Sequence, residues 1–191
     1  KKINSKDSII GKVLLIDQES YEVFSYGHRN QQGLYYDEDK DLIFETEHGP
    51  TGGDEINLIK KGNHYGWPLA TYGARVEGLN KFRNHKKNNF TEPLAYWWPR
   101  NCGMSEIIKP EKNFNKNWKG YVLLNACLTG SGANQGLSIY RWEFNLKNKK
   151  LKKKNKYYIG DRIRDMKYSK KDNSILLVLE NQKALGIIFK N

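Results

Sequence analysis

Short apolar and aromatic runs alternate along this chain with clusters of Asp, Asn, Gly and Lys. The runs lie at residues 12–17 (KVLLID), 21–26 (YEVFSY), 42–46 (LIFET), 120–125 (GYVLLN), 137–144 (LSIYRWEF), 156–159 (KYYI), 174–180 (SILLVLE) and 186–190 (GIIFK). Runs rich in β-branched and aromatic residues, bounded by turn formers, predict strands. No stretch sustains a helical period, although residues 105–108 suit one short helical turn. The pattern predicts an all-β fold, and many short strands with regular turns suggest a sandwich, a barrel or a propeller.

An internal repeat narrows that choice. The first copy reads KVLLID, YEVFSYGHRN and GLYYDEDKDLIFETE; the second reads SIYRWEF, KYYIGDRIRD and MKYSKKDNSILLVLE. Tyr26-Gly27-His28-Arg29 aligns with Ile159-Gly160-Asp161-Arg162. Repeats of this size are the sequence mark of propeller blades, and the chain holds roughly three blades of sequence, fewer than the usual minimum for closure. The repeat therefore predicts part of a larger propeller built of four-stranded antiparallel blades.

Composition excludes some roles. A chain of 191 residues with 38% hydrophobic content suits one domain with a core. No apolar run approaches the roughly 18 residues of a membrane span, and the polar start, residues 1–7, lacks the apolar stretch of a signal peptide. The net charge of +12 lies largely in residues 147–156 (KNKKLKKKNK) and 81–87. That run lacks the interleaved aromatics of a nucleic-acid surface. A solvated hairpin tip between two strands is expected, with no nucleic-acid partner. Cys102 and Cys127 show no metal-ligand spacing; one disulfide between them is open, and two unpaired thiols are the reading preferred.

Chemistry concentrates in residues 45–73, where Glu45, Glu47, Asp54 and Glu55 accompany Gly49, Gly52, Gly53 and a Gly66-Trp67-Pro68 turn. Carboxylates and freed carbonyls are the oxygen ligands of a hard cation; the same residues also build ordinary surface turns. Arg29 and Arg162 hold equivalent repeat positions, and Arg164, two residues on, shares a strand face with Arg162. Guanidiniums brought together on one axis suit a bound carboxylate or phosphate, or each pairs with a neighbouring acid; both readings stand. Trp97, Trp98, Trp118 and Trp142 are read as packing between blades rather than as sugar platforms. Gly52-Gly53 is not a phosphate loop, since no Lys-Ser/Thr follows.

Four motifs then carry a resemblance. Residues 27–34 (GHRNQQGL), 47–57 (EHGPTGGDEIN), 63–68 (NHYGWP) and 162–165 (RIRD) resemble, in order, motifs of the soluble quinoprotein sugar dehydrogenases, the glucose/sorbosone dehydrogenase family. The resemblance covers nearly the whole chain but only the C-terminal half of that family's domain. It implies a six-bladed β-propeller, with residues 1–191 its C-terminal portion and the N-terminal blades outside this chain. It implies oxidation of an aldose anomeric hydroxyl to a lactone with pyrroloquinoline quinone (PQQ) and calcium, an external electron acceptor, and a periplasmic or secreted location. Arg29, Asn30, Arg162 and Arg164 would contact the quinone, a planar tricarboxylate. The carbonyls of Gly49 and Pro50 would hold the calcium beside it. Glu55 and Tyr65, the latter through its backbone oxygen, match a second calcium position.

The sequence departs from the family at three places. The family's general base is a histidine of the N-terminal half, and His28, His48, His64 and His85 do not match it, so no catalytic residue is expected in this chain. Leu128 stands near the position of a cofactor-binding lysine. The segment Trp98-Pro99-Arg100-Asn101-Cys102-Gly103-Met104 is shorter than its family counterpart, and Arg100 would be the residue to restore the lost charge. A non-catalytic propeller that binds a sugar or a protein is the alternative, and a basic surface for anionic polymers a further one.

Overall fold

The computed structural model describes residues 5, 8–73, 85–99, 101–129 and 136–189. Arg100 and part of the 81–87 lysine cluster lie outside them. Among the described residues thirteen strands form four antiparallel sheets. The strands β1 (Lys12–Ile16) and β2 (Tyr21–Tyr26) pair alone. A four-stranded meander follows: β3 (Gln31–Asp37), β4 (Leu42–Glu47), β5 (Glu55–Ile59) and β6 (Ala95–Tyr96). The next comprises β7 (Met104–Ile108), β8 (Tyr121–Cys127), β9 (Ser138–Asn145) and β10 (Lys150–Tyr158). The last sheet is β11 (Ile163–Ser169), β12 (Ser174–Leu179) and β13 (Ala184–Phe189). Among the described residues the helical content is a 3-10 turn at Lys86–Asn88.

Why these sheets stack is visible in β8. Period-two alternation sends Tyr121, Leu123 and Cys127 into a cluster with Phe44, Ile56 and Trp97 of the preceding sheet. Val122, Leu124 and Ala126 enter a second cluster with Ile163, Met166, Ile175 and Leu177 of the following sheet. Covered on both faces, a strand reads as a continuous apolar run, as GYVLLN does. Trp97 and Trp142 pack in the first cluster as expected, whereas Trp98 stays 39% exposed.

The first strands of the three meanders adjoin, β7 lying against both β3 and β11. Gly33 permits one of these approaches: a Cβ there would meet Ser105 O at 2.7 Å and Glu106 Oε1 at 2.8 Å. Thr46 Oγ1 donates to Ser105 O (2.7 Å), and Ser105 Oγ donates to Ile163 O (2.5 Å), so one residue of β7 ties all three sheets. Consecutive meanders joined at their first strands are the arrangement of neighbouring propeller blades. The repeat also holds in three dimensions. Gly27 (φ +79°) and Gly160 (φ +86°) turn alike into β3 and β11, and β1–β2 correspond to β9–β10.

Three expectations need correction. Residues 105–108 are strand, part of β7, because pairing with β8 outweighs their local preference. The lysine run is mostly strand: the turn falls at 146–149, and Lys150, Lys152, Lys153, Lys154 and Lys156 stand on β10. Strand β10 is an outer edge with little burial on either face, so it shows no apolar alternation. Cys102 and Cys127 are not free thiols but a disulfide, with Cα atoms 5.4 Å apart. The β7–β8 register sets Met104 opposite Cys127, which brings Cys102 alongside.

Candidate functional site

The acidic and glycine-rich segment forms the ends of β4 and β5 and the turn between them. In their register Glu45 faces Asn57 and Glu47 faces Glu55, and alternation puts these four side chains on one sheet face. All are buried. Asn57 Nδ2 donates to Glu45 Oε2 (3.1 Å) and to Glu55 Oε2 (3.4 Å). Burial and the adjacent Glu47 carboxylate push the Glu45 and Glu55 carboxyls well above the usual range. His28 approaches from the loop after β2. Its ring stacks on Tyr65, its Nε2 hydrogen-bonds Ser25 Oγ (2.9 Å), and its Nδ1 stands 3.6 Å from Glu47 Oε2.

The β4–β5 turn closes on Asp54, which is fully buried. Its Oδ1 accepts from Gly49 N (3.1 Å), and its Oδ2 accepts from Cys102 N (3.0 Å) and Gly103 N (2.7 Å). One carboxylate thus fixes Gly49-Pro50 against the start of β7. The turn requires glycine: a Cβ on Gly49 would collide with the carbonyls of Gly52 and Gly53.

Arg29 lies beside this turn. Its backbone N donates to Glu47 Oε2 (3.0 Å), its Nη1 donates to His48 O (2.9 Å), and its guanidinium lies over the Trp67 ring. Its buried Nε has no hydrogen-bond partner. His48 Nε2 donates to Met104 O (2.5 Å), which leaves Nδ1 to accept from Asn30 Nδ2 (3.5 Å). In the equivalent place of the last sheet, Arg162 Nε donates to Glu180 Oε2 (2.7 Å), and Arg164 Nε lies 2.8 Å from the same oxygen. These bonds hold the Glu180 carboxyl below its ordinary value. Both arginines therefore pair with an acid, as one reading expected, but with Glu180 rather than Asp161 or Asp165. Asp161 instead accepts from the backbone N of Arg162, Asn181 and Gln182.

Of the second calcium pair, Glu55 joins the buried acidic face, while Tyr65 O is hydrogen-bonded by His85 Nε2 (3.2 Å). Leu128 is buried, and its N donates to Gly103 O (2.7 Å). Sequence reasoning did not bring His28, Glu45 and Glu47 together. The i, i+2 spacing of acids on both sides of a turn was the available signal.

Glu106 on β7 adds a titrating group where the sheets meet. Burial raises its carboxyl from 4.5 to about 7, although Ile107 N donates to it. Between those values the folded chain holds a proton that the unfolded chain has released. Stability conferred by the neutral acid is thus complete at low pH and lost as pH rises toward 7. Urea unfolding at pH 5 and pH 8 is expected to show Glu106→Gln gaining on the parent as pH rises. Parallel pH profiles would exclude this titration.

The model of the family described as glucose / sorbosone dehydrogenase matches residues 2–188. Aldose sugar dehydrogenase of Escherichia coli is 41% identical over 78 residues, 40% of this chain and 21% of that protein. The crystal structure of the soluble E. coli aldose sugar dehydrogenase in the apo form is similar over 97% of this chain and 51% of its own, with 25% identity and a TM-score of 0.69. The PQQ-bound aldose sugar dehydrogenase of Streptomyces coelicolor is similar over 96% of this chain and 50% of its own, with 26% identity and a TM-score of 0.64. The chain thus spans about half the length of these solved structures.

Proposed function

Since this chain belongs to the glucose/sorbosone dehydrogenase family, we propose that it is the C-terminal portion of a six-bladed, PQQ-dependent propeller that oxidises the anomeric hydroxyl of an aldose to a lactone. The observation that carries this reading is the arginine arrangement. Arg29 and Arg162 stand at equivalent strand starts, Arg162 and Arg164 share one carboxylate, and Arg29 keeps an unpartnered buried Nε. A planar tricarboxylate would engage these guanidiniums through forked hydrogen bonds. Arg29, Asn30, Arg162 and Arg164 would hold the quinone. Gly49 and Pro50, fixed by Asp54, would offer carbonyls to calcium, and the carboxylate of Glu55 with the carbonyl of Tyr65 would serve a second ion. The quinone would supply the redox chemistry and calcium the Lewis acidity, with an external electron acceptor as the final oxidant.

Further blades would carry the general base. Exposed apolar residues at both flanks support this: Ile16 (70%) and Tyr21 (57%) on β1–β2, Leu185 (80%) and Phe189 (65%) on β13. A periplasmic or secreted location accords with the disulfide, since such bonds persist in oxidising compartments.

The test is titration of PQQ, with calcium, into residues 1–191, followed by quenching of tryptophan fluorescence. Saturable quenching is expected, weakened at least tenfold by Arg29→Ala and by Arg162→Ala/Arg164→Ala together; binding indifferent to both would overturn the assignment. Sugar-dependent dye reduction should be negligible, because loss of a general base costs on the order of 10² to 10⁴ in rate. Robust turnover would place the base within this chain. Leu128, buried where a charged cofactor ligand would be expected, favours a second reading as a non-catalytic propeller. Sugar binding without quinone binding would establish it.

A further inference from the structure

We propose that His28, Glu45 and Glu47 form a buried site for a divalent transition-metal ion, beside the second calcium position, whose Glu55 and Tyr65 adjoin Glu47 and His28. Their ligand atoms all lie within 4.8 Å of one another. The residues are 0%, 1% and 5% exposed. Two of the atoms have no hydrogen-bond partner: His28 Nδ1 and Glu45 Oε1. Such atoms are costly to bury unless something fills their coordination. Nδ1 is 3.6 Å from Glu47 Oε2, too far for a hydrogen bond but suited to two ligands flanking one ion.

The surroundings support a cation. Among the described residues no Lys or Arg side chain forms an ion pair with Glu45, Glu47 or Glu55. Ser25 Oγ engages His28 Nε2 (2.9 Å). With a metal on Nδ1 the ring carries its proton on Nε2 and donates it to Ser25, the partner that orients a ligating imidazole. Asn57 Nδ2 similarly holds Glu45 through Oε2, leaving Oε1 free. Ligands about 2.0–2.2 Å from zinc stand roughly 3.4 Å apart in a tetrahedron, so closure needs shifts of about 1 Å.

The donor set also selects the ion. One imidazole nitrogen with two carboxylates suits manganese, iron or zinc, whereas calcium takes oxygen alone. The bound ion would neutralise the buried acidic face. Through Glu47, whose Oε2 accepts from Arg29 N, it would brace the segment that presents Arg29.

The test needs neither quinone nor sugar, so it stands apart from the enzymatic reading. Chelator-treated chain is titrated calorimetrically with Zn²⁺ and with Mn²⁺, and bound metal is counted by mass spectrometry. One equivalent is expected, with a Co²⁺ visible band reporting nitrogen ligation. Glu45→Gln, near-isosteric and neutral, should keep the fold and weaken binding at least tenfold; His28→Gln should abolish the Co²⁺ band. If His28→Gln unfolds, because the ring stacks on Tyr65, Glu45→Gln decides alone. Absence of binding, binding unchanged by Glu45→Gln, or uptake of Ca²⁺ alone would overturn the site.

Discussion

Replacing Asp54 with alanine is expected to cost the fold about 3–6 kcal/mol, because buried donors left unpaired cost roughly 1–3 kcal/mol each and two of its three donors are buried, the third half-buried. The donors are Gly49 N, Cys102 N and Gly103 N, which all converge on the one fully buried carboxylate. Domains of this kind are stable by only about 5–15 kcal/mol, so the variant should lose a large share of its stability. Asp54→Asn, which keeps the shape and one acceptor oxygen, should lose less. Denaturant unfolding of both variants checks the ordering. A loss below about 1 kcal/mol for Asp54→Ala would mean that other bonds hold the turn. The calcium affinity proposed for Gly49 and Pro50 should fall with stability, since the same carboxylate positions both residues.

Opening the Cys102–Cys127 disulfide is the second large effect. The bridge closes a loop of 25 residues, and the chain-entropy relation assigns such a loop about 3–4 kcal/mol. Cys102→Ser/Cys127→Ser, or reduction with a phosphine, should lower the melting temperature accordingly. The loss should not add to that of Asp54→Ala, because Asp54 grips the backbone of Cys102 itself. Removing either one frees the strand end that the other restrains, so a double-mutant cycle should show coupling. Strict additivity would show two independent anchors.

These two contacts mark what could be read in the sequence and what could not. Strand β8, covered on both faces, was legible because it reads as one apolar run, and the arginine motifs recur at matching repeat positions. Strand β10 was hidden because an edge strand needs no apolar face, and its lysines resemble a loop. Strand β5, buried along its length, was hidden behind the glycines and acids that precede it. The disulfide depended on the β7–β8 register, and register is a relation between segments that no local pattern records. The acidic face likewise arises from two strands folded together, Glu45 and Glu47 against Asn57 and Glu55. The motifs pointed to a family; the facing of His28 toward two glutamates emerges only in three dimensions.

Strand β10 leaves the outer rim of its sheet with unpaired backbone groups, and such a rim is a template for pairing with another copy. Here it carries Lys150, Lys152, Lys153, Lys154 and Lys156, with a register shift between Lys153 and Asn155. Two copies brought rim to rim would oppose ammonium to ammonium along much of the strand, and the bulge, which falls among Lys152, Lys153 and Lys154, would spoil the hydrogen-bond register as well. The lysine run then acts as a guard against self-association. The positive charge that suggests a polyanion partner in the sequence keeps sheet edges apart in the fold.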